Sequence, residues 1–203
     1  MWVSCFKMVA STEPPQLKEV SWEDFVQKLS THIEVADKIK APAISPAEWP
    51  RGVSRGDVKA LRVHFAALDL DKITDDALTA VLKILAPYQY FLHTTHSHAA
   101  SPLNCLRVYL PLSKPVEALQ WPTFWSNLNA FVGGVLDKAC KDAGRVYLVP
   151  SAPPGMSDKN YCQSHDGQVL DVEPLLVKRT FAKTKGQFVS QTALMSLAHE
   201  LMA

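Results

Sequence analysis

The chain has 203 residues, 47% apolar and 20% charged, with 21 Lys and Arg against 20 Asp and Glu for a net charge of +1. That is enough chain for one domain with a full hydrophobic core, and the composition excludes disorder over most of its length. The charge balance does not announce a nucleic-acid binder, although acidic residues elsewhere can offset a local basic groove. Cys5, Cys105, Cys140 and Cys162 include no Cys-x-x-Cys pair, which argues against a zinc site or a disulfide framework and for reduced thiols. No apolar run approaches the roughly 18 residues of a membrane span, and the opening Met-Trp-Val-Ser-Cys-Phe-Lys lacks a signal peptide's basic start and long apolar core. A cytoplasmic protein without a membrane partner is expected.

Residues 2–9 are expected to form a strand, followed by a loop at Pro14-Pro15. Ser21 opens a helix, with Asp24 completing a partial capping box and Trp22, Phe25, Val26 and Leu29 as its apolar stripe. Residues 41–57 contain Pro42, Pro46, Pro50, Gly52 and Gly56 and read as a long irregular connection, which also carries Arg51 and Arg55. Leu61 to Leu70 reads as a strand, and Thr74 caps a helix with Leu78, Val81, Leu82 and Leu85 on one side. Tyr88 to Thr94 and Cys105 to Leu112 read as the second and third strands. Pro122 starts a long helix through Phe124, Leu128, Phe131, Val132, Val135 and Leu136, and Arg145 to Val149 makes a fourth strand. The order βαββαβ predicts an α+β fold, an RNA-recognition-motif-like open sheet with helices on one face and the first and third strands central. The unit occupies about 58–177, beside a smaller N-terminal α/β part at about 1–57. After Pro150, residues 161–168 read as a surface excursion and 170–177 as an added strand. Residues 178–203 read as a basic linker, with Lys178, Arg179, Lys183 and Lys185, and a short helix from Ser190.

The chemistry-bearing residues sit at strand ends. Asp69 and Asp71, one residue apart on a strand, project from the same face, where two carboxylates raise each other's proton affinity unless a cation lies between them. A Mg²⁺ or Mn²⁺ site and a solvated strand end are both open on this feature alone. The segment Phe91-Leu92-His93-Thr94-Thr95-His96-Ser97-His98, leading to Arg107 on the next strand, gathers hydroxyls, imidazoles and a guanidinium that suit phosphate. A transition-metal site, or histidines that simply solvate a hairpin tip, are the competing readings. The aromatic signature of RNA-binding sheets of this topology is absent.

Taken together, "AALDLD", "HTTHSH … LRVYLPLSKPV" and "LDKACKDAGRVYLVPSAPPG … DG" resemble the catalytic core of plasmid- and phage-type primase-polymerases of the archaeo-eukaryotic primase superfamily, over about residues 50–172. The resemblance implies an RNA-recognition-motif-like catalytic unit beside a smaller N-terminal part. It also implies Asp69 and Asp71 as ligands of catalytic metal ions, with a third carboxylate at Asp137 in the pair Leu136-Asp137, and Asp142 as its rival. Ser97, His98 and Arg107, with His96 and Arg145, become the implied nucleotide-binding set. Arg107 stands where many relatives have His, and His96 where related turns often carry Arg. The implied chemistry is a two-metal site about 3.5–4 Å across that activates an attacking 3′-hydroxyl and clamps the leaving pyrophosphate.

The reading is therefore a Mg²⁺- or Mn²⁺-dependent primase-polymerase that makes or extends primers on single-stranded DNA from nucleoside triphosphates, in replication of a plasmid, phage or integrated element. Arg51, Arg55, Lys178, Arg179, Lys183 and Lys185 are candidate contacts to the nucleic-acid backbone. No ATP-binding Gly-x-x-x-x-Gly-Lys-Ser/Thr loop is present, so a replicative helicase would lie on another chain or a further region. A non-catalytic single-strand-binding module on the same sheet and a replication-initiator nuclease are the alternatives. The nuclease class uses a His-hydrophobic-His pair, and His96-Ser97-His98 has a polar residue in the middle.

Overall fold

The computed structural model describes residues 1–54 and 60–177. The chain opens with β1 (Trp2–Phe6) and β2 (Gln16–Glu19), an antiparallel pair across the Pro14-Pro15 loop. Ser21 Oγ accepts the Asp24 N–H at 3.0 Å and starts α1 (Trp22–Leu29), which buries Phe25 and Leu29. After β3 (Ile33–Glu34) and a 3₁₀ turn at Lys38–Lys40, the stretch expected to be irregular contains two short strands, β4 (Ala43–Ser45) and β5 (Ala47–Glu48). Its prolines, Pro42, Pro46 and Pro50, flank these strands and do not lie in them, so no ladder donor is lost. Ala41, Ala43, Ile44 and Ala47 are buried, and the buried Ser4 hydroxyl donates to the Ala47 carbonyl at 2.7 Å.

The long strand β6 (Arg62–Ile73) leads through Thr74, whose Oγ1 accepts the Ala77 N–H, into α2 (Asp75–Leu85). There follow β7 (Tyr90–Thr94), a 3₁₀ turn at His98–Ala100, β8 (Asn104–Glu117) and α3 (Trp121–Phe131). The helix α3 is shorter than its apolar pattern suggested. Gly133 and Gly134, at φ +89° and +80°, turn the chain back before Val135 and Leu136. The chain continues through a 3₁₀ turn at Lys138–Lys141 to β9 (Tyr147–Leu148), β10 (Ser151–Ala152), β11 (Cys162–His165) and α4 (Glu173–Leu176).

The α+β class holds. The main sheet is antiparallel in the order β11-β7-β8-β6-β5, with the first and third strands of the expected unit, β6 and β8, as central neighbours. The expected fourth strand forms, but not in this sheet. β9 pairs with β4 in a second sheet, β2-β1-β4-β9, because β5 already occupies the edge beside β6. The supposed surface excursion supplies the opposite edge, with Cys162 to His165 paired antiparallel to His93 to Tyr90. Residues 170–177 add a bridge from Leu170 to Leu112 and one helical turn in place of a strand.

One face of the main sheet carries Phe65, Ala67, Phe91 and Tyr109, and α1 covers it by packing Phe25 on Phe65 and Tyr109 at ring distances of 5.0 and 5.3 Å. This face is therefore not open along its whole length, as the sequence suggested, but only beyond the reach of α1. Alternation sends Leu68, Leu70, Leu92, Leu106 and Val108 to the other face, where all are buried in one cluster with Val81, Leu85, Phe124 and Leu128 of α2 and α3. No helix among the described residues is long and apolar enough to cross a membrane. The four cysteines are free thiols, Cys105 and Cys140 buried.

Candidate active site

Two residues along from the aromatic row, the same three strands present His93, Arg107 and Asp69 in register, Asp69 opposite Arg107 and Arg107 opposite His93. This row forms one wall of a cavity of about 230 Å³. Arg107 is buried between two elements: its Nη2 donates to Asp69 Oδ1 at 2.9 Å and its Nη1 to the Leu148 carbonyl of β9 at 3.0 Å. Its guanidinium lies 4.6 Å over the ring of Tyr147. Burial is the largest influence and works against the charge, but Asp69, Tyr109 and Tyr147 together outweigh it and hold Arg107 firmly protonated. Burial also pushes the hydroxyl of Tyr109 up to about 12 and that of Tyr147 well above the usual phenol range, so both stay neutral.

Asp71 lies exposed at the rim of the same cavity, where the ladder of β6 and β8 shifts register between Leu70 and Ile73. Lys72, beside it, is held at φ +56°, a conformation that costs a non-glycine residue about 1–2 kcal/mol and re-aims the strand just past the acidic pair. Asp137 reaches the cavity through the glycine turn after α3. Leu136 N–H is caught by Asn129 Oδ1, and Asp137 N–H donates to the Asp69 carbonyl at 3.0 Å, which fixes the two acidic segments side by side. Asp142, the rival, is outside the lining. Its Oδ1 turns back to the Gly144 N–H, and it makes no ion pair with Arg145 among the described residues.

The phosphate-type residues divide. Ser97, His96 and Arg145 line the cavity. His96 spends its Nε2–H on the Val35 carbonyl at 2.8 Å. His98 points elsewhere, accepting the Cys105 N–H at Nδ1 and meeting Tyr161 edge-on, because the 3₁₀ turn rotates it away from its neighbour Ser97. Arg51 lines a separate cavity of about 190 Å³ with Trp2, Trp49 and Pro50. Arg55, Lys178, Arg179, Lys183, Lys185 and the terminal helix lie outside the described residues.

Of the cavity's polar residues, the sequence assigns Lys38 no role and marks His93 only as part of its histidine-rich segment. Lys38, 59 positions earlier than Ser97, donates from Nζ to Ser97 Oγ at 2.6 Å. Its 3₁₀ turn is set by Asp37, whose Oδ1 accepts the Ile39 N–H. His93 is fully buried, with Nδ1–H donating to the Thr94 carbonyl at 2.8 Å. Burial first, then the nearby Arg107 charge, holds it neutral, well below the ordinary histidine value. No motif marks Lys38, whereas His93 shares the inward parity of Phe91 on its strand.

Three carboxylates and no thiolate face this cavity, a donor set that fits a hard divalent cation. Asp69 gives one oxygen to Arg107 and Asp137 gives one to the Ala139 N–H, leaving the second oxygen of each for other partners. Among the described residues no three His, Cys, Asp or Glu side chains already converge on one point, so the carboxylates line the cavity without forming a closed cage.

The architecture has a counterpart among solved structures. The chain is similar to the AEP domain of the primase-polymerase (PrimPol) of cyanophage S-2L, with a TM-score of 0.51 over 86% of this chain and 87% of that chain, at 14% identity. At that identity the likeness shows a shared fold. No protein-family model and no curated protein sequence matches the chain.

Proposed function

We propose that this chain is a template-directed nucleotidyltransferase, a primase-polymerase that joins nucleoside triphosphates on single-stranded DNA. The observation that carries the reading is the meeting of Asp69, Asp71 and Asp137 with Lys38, Arg107 and Arg145 in one cavity, on a fold shared with a primase-polymerase domain. Three carboxylates face three cations there, so an incoming triphosphate adds negative charge that the protein alone does not balance. A divalent cation, Mg²⁺ or Mn²⁺, held by Asp69 and Asp71 with Asp137, would supply that balance and lower the pKa of an attacking hydroxyl.

The chain's own residues do the positioning, which is most of what phosphoryl transfer asks of a protein. Arg107 donates one N–H from each terminal nitrogen, to Asp69 and to the Leu148 carbonyl, and so aims Asp69 and ties the main sheet to β9. Lys38 and Arg145, which have no acidic partner among the described residues, are the cations available to phosphate oxygens. Ser97 presents Lys38 at the cavity. Tyr109 and Tyr147, neutral and buried, keep water from the back of the Arg107–Asp69 pair.

The test is primer synthesis and extension on single-stranded DNA with labelled nucleotides and Mg²⁺ or Mn²⁺, wild type beside Asp69→Ala and Asp71→Ala. Metal-dependent products that vanish in both variants support the enzyme. Wild type that binds single strands yet makes no product with any nucleotide or metal moves the assignment to a binding module.

A further inference from the structure

His93 is held unusually firmly for a residue with one free end. Its ring stacks on Tyr109 at 5.6 Å and 29°, with Phe91 behind it at 6.1 Å and His32 edge-on at 6.0 Å. The Nδ1–H bond to the Thr94 carbonyl fixes the tautomer, leaving a lone pair on Nε2. That Nε2 is buried without a hydrogen-bond partner, on a residue that lines the cavity beside Arg107 and Asp69. A buried acceptor left unmade is costly, and native proteins keep one mainly where something else supplies the donor.

The kinds of donor can be sorted by chemistry. A hard divalent cation held by the three carboxylates prefers oxygen ligands and has no need of an imidazole nitrogen. A base amino group does not suit template copying, in which the site must accept all four bases, because a fixed acceptor reading an amino group would favour some of them. The sugar is the part that every nucleotide shares. We propose, resting on the nucleotidyltransferase reading above, that His93 Nε2 accepts a hydrogen bond from a hydroxyl of the bound nucleotide's sugar, making His93 a residue that reads the sugar and not the base. A site built around such a bond penalises an analogue that lacks the hydroxyl, because the acceptor is left buried and unpaired.

The experiment is calorimetric titration of the full chain with ATP, 2′-deoxy-ATP, 3′-deoxy-ATP and 2′,3′-dideoxy-ATP in Mg²⁺ without template, for wild type and His93→Phe. Loss of the hydroxyl that His93 reads is expected to weaken wild-type binding about 10- to 100-fold. The 2′- and 3′-deoxy arms identify which hydroxyl it is. His93→Phe, which keeps the ring and loses the acceptor, is expected to bind all four sugars within about twofold of one another. Equal wild-type affinity for all four sugars, or discrimination that persists in His93→Phe, overturns the proposal. If His93→Phe does not fold, the wild-type sugar series still decides, together with the ¹⁵N resonance of His93 Nε2. That resonance is expected to shift with the hydroxyl-bearing nucleotide and to stay unchanged with the analogue that lacks it. Wild type that binds no nucleotide at all overturns the nucleotidyltransferase reading, whereas binding without sugar discrimination overturns this inference alone.

Discussion

Two rows of side chains, one step apart on the same face of the main sheet, have opposite fates. Phe91, Tyr109 and Ala67 form a row that α1 seals into the core, while His93, Arg107 and Asp69 form the next row and face a cavity. The backbone beneath them is the same ladder. What differs is the cover: Phe25 of α1 reaches the aromatic row and stops there, and the polar row is bounded instead by Lys38, Asp137 and β9. The fold thus makes its cavity by withholding a helix, and the apolar row is the rigid floor on which the polar row is aimed.

This contrast can be tested by substitution in each row. The largest effect is expected at the acids. Asp71→Asn, at an exposed rim position, is expected to lower primer extension about 10²- to 10³-fold or more with an unchanged melting curve. Asp69→Asn is expected to match that loss and also to cost about 2–3 kcal/mol in urea unfolding, because it strips Arg107 of its buried carboxylate. Equal stability in the two variants would remove the distinction between rim and wall. In the apolar row, Tyr109→Ala is expected to cost about 4 kcal/mol in the same unfolding measurement, as large aromatic truncations in a core do.

A smaller effect concerns pH. His32, His64, His93 and His98 all have their proton affinity lowered, in each case chiefly by burial. Below the ordinary histidine value of 6.5 the unfolded chain therefore binds protons that the folded chain refuses. Stability is expected to be full above that value and to fall as the pH drops from about 7 towards 5, read from urea midpoints across that range. His93→Phe is expected to flatten part of the slope. The smallest effect is at the bulge past Asp71: Lys72→Gly is expected to raise stability by about 0.5–1 kcal/mol and Lys72→Val to lower it, by thermal melting, since only the left-handed φ is at issue.

The regular parts of this fold were legible because long alternating or helical patterns survive any tertiary context. β6, β7, β8, the Ser21 and Thr74 caps and the α+β class were read from such patterns, and the central pairing of β6 with β8 followed from the element order. β4 and β5 were illegible for a physical reason: each has two or three residues, flanked by prolines, and becomes a strand only because its small apolar residues are buried by neighbours far away in sequence. The partner of β9 was misassigned on the same ground, since pairing depends on which edge is free. At the site, Asp69, Asp71 and Arg107 sit at positions that pattern and resemblance both singled out. Lys38 arrives from another segment with no local signal. His98 was drawn in by its neighbours, and only the 3₁₀ turn, invisible in the residue types, separates it from Ser97.

The tie between β4 and β9 has a consequence for how the molecule is made. The Ser45 hydroxyl donates to the Arg145 carbonyl, 100 residues further along the chain, and the neighbouring strands pair there. At a synthesis rate of roughly 5–20 residues per second, Ala43 and Ile44 wait on the order of 5–20 seconds for their partner strand to be translated. Through that interval β4 offers a bare edge to any extended segment that meets it. Arg107, already synthesised, waits for the Leu148 carbonyl. The cavity thus cannot be completed before Leu148 is synthesised, and conditions that slow translation between residues 45 and 148 lengthen the period in which misfolding competes.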